Sequence, residues 1–199
     1  MSDLKNEFIE LYTKYIKRDG HQKLLGWLTS TDFFKAPASS KYHLACQEGL
    51  VSHSINVFKC LADGYCTEYG YLNLDAANEA EQEKVAICGL LHDLCKVDFY
   101  EVELRNKKDE NGTWQKVPTY VVNDKLPYGH GEKSVYIISG FMRLTREESI
   151  AIRWHMGGFD EAVRGGSYSL SQAYQQFPFA VMLHIADLQA TYLCEGNNK

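Results

Sequence analysis

His92 and Asp93 stand side by side in an otherwise apolar run, Leu90-Leu91-His92-Asp93-Leu94-Cys95, and Lys96 follows directly. Burying two ionisable groups in such a run is costly unless something pairs with them. A metal ion is the common solution. The chain supplies further ligand-type side chains where helices should be buried or should end. His53 and Asp187 lie on apolar helical patterns, and His130 and His155 lie beside glycines. One histidine on an apolar face is ordinarily a packed, hydrogen-bonded core residue. Six ligand-type residues on five segments, two of them adjacent, point instead to a metal centre. Nitrogen and oxygen donors suit manganese, iron, cobalt, nickel, magnesium or zinc and do not choose among them. Such an ion polarises a phosphoryl oxygen and acidifies water. Lys96, three and four residues beyond Asp93 and His92, shares their helix face and could stabilise charge on a phosphate or leaving oxygen.

Other residues are weaker candidates. His43 just precedes the first ligand helix and could face substrate, though a plain loop histidine fits as well. His184, three residues before Asp187, either faces substrate or packs. Arg153, Arg164 and Lys116 could contact phosphate from the rim or be solvated charges. His21 reads as a surface residue.

The elements that must position these residues are mostly helices. Leu4 to Ile16 follows the helical period with Ser2 or Asp3 as cap, and Leu24 to Leu28 suggests a short second helix. Ser30 to Tyr42 reads as an extended connection. Gly49 to Tyr69 is a long helix carrying His53 and stopped by Gly70. Asp75 is expected to cap the next helix, which begins acidic and ends at His92-Asp93. Phe99–Arg105 and Trp114–Val122 are aromatic and β-branched and flank Asn111-Gly112, a hairpin signal, so an insertion is expected over about 98–124. Thr145-Arg146-Glu147-Glu148 is a capping box for a helix ending at Trp154-His155. Residues 157 to 176 read as a polar loop. Pro178 opens a last helix through Cys194 with His184 and Asp187 on it.

The 199 residues, 45% hydrophobic and 24% charged, describe one ordinary globular domain over 1–199 with its core over about 43–195. A net charge of −5 gives no general pull toward nucleic acid or an anionic membrane. No apolar stretch approaches the roughly 20 residues of a membrane span, and no signal peptide is apparent. The cysteines lack CxxC spacing and read as reduced small hydrophobes, which makes the expected location cytoplasmic.

The ordered blocks Ala36-Pro37-Ala38-Ser39, Gly49-Leu50-Val51-Ser52-His53-Ser54, Leu90-Leu91-His92-Asp93-Leu94-Cys95-Lys96, Trp154-His155 and Leu183-His184-Ile185-Ala186-Asp187 together resemble the HD-domain superfamily of metal-dependent phosphohydrolases. The branch is similar to bacterial 3′→5′ exoribonuclease-type HD domains. The resemblance implies a mainly α, compact helical bundle. It also implies one or two divalent ions: His53, His92, Asp93 and Asp187 would hold the first, and Asp93 would bridge to a second on His130 and His155. The chain departs from the family pattern at Cys95, where glycine is common, and at Met156, where a second histidine often follows. It carries no separate nucleic-acid-binding domain of the kind those exoribonucleases have, so a small phosphorylated substrate, a nucleotide or related ester, is the leading expectation. Two alternatives stand beside it. One is a 3′→5′ exonuclease on short single strands, with Tyr120, Tyr128, Phe159 and Tyr168 as stacking candidates. The other is a metal-stabilised binding module without chemistry.

Overall fold

A computed structural model describes residues 2–196. Helix α1 (Asp3–Tyr15) is capped by the Ser2 side chain on the Lys5 amide and turns Phe8, Tyr12 and Tyr15 inward. Helix α2 (His21–Ser30) adds Leu24 and Leu28 to the same core. The connection that follows is irregular, as its Pro and Ser content suggested, yet it buries Phe33, Phe34, Ala36 and Ala38.

Helix α3 (Gly49–Tyr69) ends on Gly70 in the left-handed conformation. Helix α4 (Glu79–Leu91) opens on a capping box made by Asn78 and Glu81. Asp75, expected as that cap, instead accepts hydrogen bonds from Lys14 and Tyr15 of α1. Asn73 and Asn78 do the capping, because their side chains lie within reach of free amides and Asp75 is already inside a 3₁₀ turn. Helices α3 and α4 cross very closely: a Cβ on Gly89 would lie 2.6 Å from the Phe58 Cα. Any side chain there would push the end of α4, and His92 with it, away from α3.

Strands β1 (Tyr100–Lys108) and β2 (Trp114–Val122) form the expected antiparallel hairpin, with Tyr100 opposite Val122 and Lys108 opposite Trp114. Its turn uses Gly112 at φ 79°, and the Asp109 carboxylate accepts from the Asn111 and Thr113 amides. Helix α5 (His130–Ser139) follows. Helix α6 (Arg146–Trp154) carries the Thr145–Glu148 capping box read from the sequence.

Residues 157–176 are not one loop. They contain two short helices, α7 (Glu161–Arg164) and α8 (Ser169–Gln176). Only Ala173 of the two is buried, so they leave almost no apolar period to read. Helix α9 (Pro178–Gln189) does not run unbroken to Cys194; its last stretch, Ala190–Cys194, widens into a π-helix.

The core is built from α1, α3, α4, α6 and α9 around Leu50, Leu61, Ile87, Leu90, Ile152 and Leu183. Arg18 ties these helices together by pairing with Glu83 on α4 at 3.0 Å and with buried Glu148 on α6 at 2.7 Å. The molecule is thus a helical bundle carrying a small hairpin. All six cysteines are free. Among the described residues no single helix is long and apolar enough to cross a membrane.

Candidate metal centre

Two of the histidines arrive by the same local device. Helix α4 ends at Leu91, and His92 caps it with helical backbone angles while its Nδ1 donates to the Gly89 carbonyl at 3.0 Å. Helix α6 ends at Trp154, and His155 caps it with Nδ1 donating to the Ile152 carbonyl at 2.7 Å. Each ring satisfies a carbonyl that its helix end leaves unpaired. With the ring proton committed to Nδ1, each Nε2 presents a lone pair.

His53 is oriented differently. Its Nδ1 donates to the buried Glu195 carboxylate at 3.1 and 3.2 Å, and Asn56 donates to the same carboxylate at 3.0 Å. Its Nε2 then faces the His92 Nε2 at 3.3 Å, the Asp187 Oδ1 at 3.2 Å and the Asp93 Oδ2 at 3.5 Å. The other Asp93 oxygen, Oδ1, has His130 Nε2 at 2.9 Å and His155 Nε2 at 3.5 Å. The four histidines singled out in the sequence therefore converge on the two oxygens of buried Asp93, and Asp187 joins them through His53.

This donor set fits a cation. Two imidazole Nε2 atoms at 3.3 Å, each with its Nδ1 bonded to an acceptor, repel unless positive charge lies with them. His155 Nε2 is buried and has no hydrogen-bond partner. Overlapping triads, His53–His92–Asp187, His92–Asp93–His155 and Asp93–Cys95–His130, each bring their ligand atoms within 4.8 Å of one another and could hold a metal ion. Burial disfavours a charged His53, but the Asp187 and Glu195 carboxylates outweigh it and raise the ring to about 9. His92, with less compensation, is pushed by burial down to about 3. Asp93 is held well below the usual carboxylate range despite its burial, with Lys96 the main cause.

Lys96 is not an exposed helix-end charge. The chain leaves the α-helix at Asp93, and Leu94–Lys96 forms one 3₁₀ turn. A three-residue turn eclipses positions three apart, which puts the Lys96 Nζ 2.6 Å from the Asp93 Oδ2 with 12% of the side chain exposed. His43 lies tilted beside His53, with ring centroids 4.9 Å apart, and its Nε2 is buried without a partner. His184 donates from Nδ1 to the His155 carbonyl at 2.6 Å. That contact needs Gly157, at φ +53°, because a Cβ there would meet the His184 ring at 2.4 Å.

Arg153, expected at the substrate rim, is instead paired with Glu132 and, at 2.8 Å, with Asp160, so two carboxylates already match its charge within the fold. Lys116 lies on the exposed hairpin, and Arg164 ends the short α7. Tyr128 packs on Tyr136 at 5.3 Å, while Phe159 and Tyr168 are exposed and Tyr120 is partly buried in the hairpin. His21 is half-buried and stacked on Tyr12, not a free surface ring.

Two further participants stand outside the six ligand-type residues read from the sequence. Glu195 lies 142 positions from His53, and nothing about a lone glutamate near Gly196 marks it. Cys95 fits an apolar run, yet its Sγ lies 3.3 Å from the His130 Nδ1. Its signals are its place near the His-Asp pair and its departure from the family pattern, where glycine is common.

Comparison with curated proteins and with solved structures found no match. A family model, described as HD domain, matches residues 50–189. That span runs from the turn of α3 that carries His53 to the last residues of α9 after Asp187, and it includes every side chain of the convergence described above except His43 and Glu195. The chain therefore belongs to the HD-domain family, whose members are generally hydrolases that bind divalent metal ions and act on phosphate esters.

Proposed function

We propose that the protein is a metal-dependent phosphohydrolase or phosphodiesterase that cleaves a nucleotide or a related small phosphate ester. The observation that carries this reading is the approach of four histidine Nε2 atoms to the two oxygens of buried Asp93, with the Asp187 carboxylate against the His53 Nε2. In this reading His53, His92, Asp93 and Asp187 would hold one divalent ion, and Asp93, His130 and His155 would hold a second. When bound, such an ion supplies Lewis acidity toward a phosphoryl oxygen and lowers the pKa of water.

The chain's own groups do the rest. Lys96, kept protonated by Asp93 against the cost of its burial, offers a fixed positive charge where negative charge builds on the phosphate or leaving oxygen. Glu195 fixes the ring of His53, as partners behind metal ligands commonly do. His184 fixes the backbone that carries His155. His43, beside His53 with an unpartnered Nε2, is our candidate for a substrate contact. His130 is 30% exposed while the other three histidine ligands are almost fully enclosed. A reachable side of that kind suits catalysis better than a closed structural site. We read residues 1–199 as one such unit with the hairpin inserted; Met1 and residues 197–199 lie outside the described residues.

The test is hydrolysis by manganese-loaded protein of bis(p-nitrophenyl) phosphate and a panel of nucleoside phosphates, with Asp93→Ala as control. Turnover of a small ester that disappears in the variant supports the reading. Stepwise shortening of an end-labelled oligonucleotide, with no small-ester turnover, would transfer the activity to the exonuclease alternative. A fully metal-loaded protein inert toward all of these would make it a binding module.

A further inference from the structure

We infer that Cys95 is a ligand of the second metal ion, so that this position is a mixed nitrogen, oxygen and sulfur site and selects zinc, iron or cobalt over magnesium and manganese. The inference rests on the metal-centre reading above and adds to it a sulfur donor.

Cys95 belongs to the 3₁₀ turn after Asp93, and the Ser134 hydroxyl of α5 accepts its backbone N–H at 3.0 Å. That bond pins the turn against the helix that His130 begins. The buried Sγ then lies 3.7 Å from the His130 Nε2 and 3.9 Å from the Asp93 Oδ1, while these two atoms are 2.9 Å apart. Ligands at about 2.0–2.3 Å from a tetrahedral ion lie about 3.3–3.6 Å from one another, so small side-chain rotations bring the three donors onto one centre. A second observation points to the same place. The fully buried His155 Nε2 has no hydrogen-bond partner, and it faces the same Asp93 oxygen at 3.5 Å. Asp93, Cys95 and His130 thus present one oxygen, one sulfur and one nitrogen within 4.8 Å of one another, and His155 faces the shared Asp93 oxygen from the adjoining triad with His92.

Binding releases the thiol proton to solvent as the sulfur–metal bond forms, and no oxidant or reductant takes part. A thiolate is a soft ligand. Soft and borderline ions prefer it, while magnesium and manganese favour oxygen donors. Among the described residues, the His53–His92–Asp187 triad of the first position includes no cysteine.

Cobalt(II) titration of the full chain, purified free of metal, tests this. Visible d–d absorption should rise with both equivalents. A near-ultraviolet thiolate-to-cobalt charge-transfer band should appear with only one of the two. Cys95→Ser should lose that band and keep the d–d absorption of the first equivalent. Cys46→Ser and Cys194→Ser, which change exposed cysteines, should keep it. X-ray absorption of the zinc-loaded unmodified protein needs no variant and should show one sulfur per two zinc ions at about 2.3 Å. Two equivalents bound with no charge-transfer band and no sulfur scatterer, or a band that persists in Cys95→Ser, would overturn the assignment and leave the metal-centre reading intact. Binding of a single equivalent would overturn it as well. No cobalt uptake at all would remove the metal centre itself.

Discussion

The centre around Asp93 and the hairpin follow opposite rules. Around Asp93 the molecule buries three histidines and two carboxylates (those of Asp93 and Glu195) almost completely and leaves 12% of the Lys96 side chain exposed. The hairpin exposes Val102, Leu104, Trp114 and Val122 by 56% to 66%, and its strands pair chiefly with each other. A buried ionisable group is tolerable only while its partners stay in place, because an uncompensated charge in the interior is expensive. The centre is therefore tightly interdependent, and its partners come from α3, α4, α5, α6, α9 and the chain end. The hairpin depends on its turn and its own cross-strand pairs. A fault at the centre should spread, and a fault in the hairpin should stay local.

The largest expected effect is that of Asp93→Ala. It removes the anion that Lys96 and His130 share, so it should abolish activity and metal uptake and destabilise the metal-free protein by about 3–5 kcal/mol. Calorimetry with chemical denaturation reads both. A variant that keeps its stability would mean that the buried charges are not interdependent. Lys96→Gln comes next. If its ammonium stabilises charge in the transition state, kcat should fall by about 10²–10³-fold with little change in KM. An unchanged kcat would reduce Lys96 to a counterion of Asp93. Glu195→Gln keeps an acceptor for the His53 Nδ1 but removes its charge. Metal affinity should fall by about 10–100-fold, measured by competition with a chelating dye, and unaltered affinity would remove Glu195 from the centre. The smallest effect belongs to the hairpin. Replacing residues 100–122 with a short glycine linker should shift Tm by no more than about 4 °C, the equivalent of ~1 kcal/mol in a domain of this size. A much larger loss would show that the hairpin supports the body after all.

Much of the site was legible because its residues break a pattern. His53, His92 and Asp187 are polar side chains in apolar helical stretches, and the Thr145–Glu148 box announces the helix that ends at His155. Lys96 was placed correctly beside Asp93 for an incomplete reason. The α-helix has already ended there, and a 3₁₀ turn makes the pair. Other features carried no signal. Helices α7 and α8 bury almost nothing, so they have no apolar period. Asp75 looked like a cap and became a partner of Lys14 and Tyr15, a choice set by the approach of α1, not by its neighbours in the chain.

What the sequence alone determined is a set of six candidate donors and the elements that carry them. Residue type decides which atoms can bind a cation, and period and capping decide where helices run and stop. What only the tertiary structure decided is which of those donors meet. Glu195 reaches His53 across 142 positions, His130 reaches Asp93 across 37, and Arg153 pairs with Glu132 and Asp160. Those outcomes depend on how closely helices pack. At Gly89 and Gly157 the spacing is set to within the width of one methyl group, and helical period and capping along the chain do not encode distances between elements that are remote in sequence.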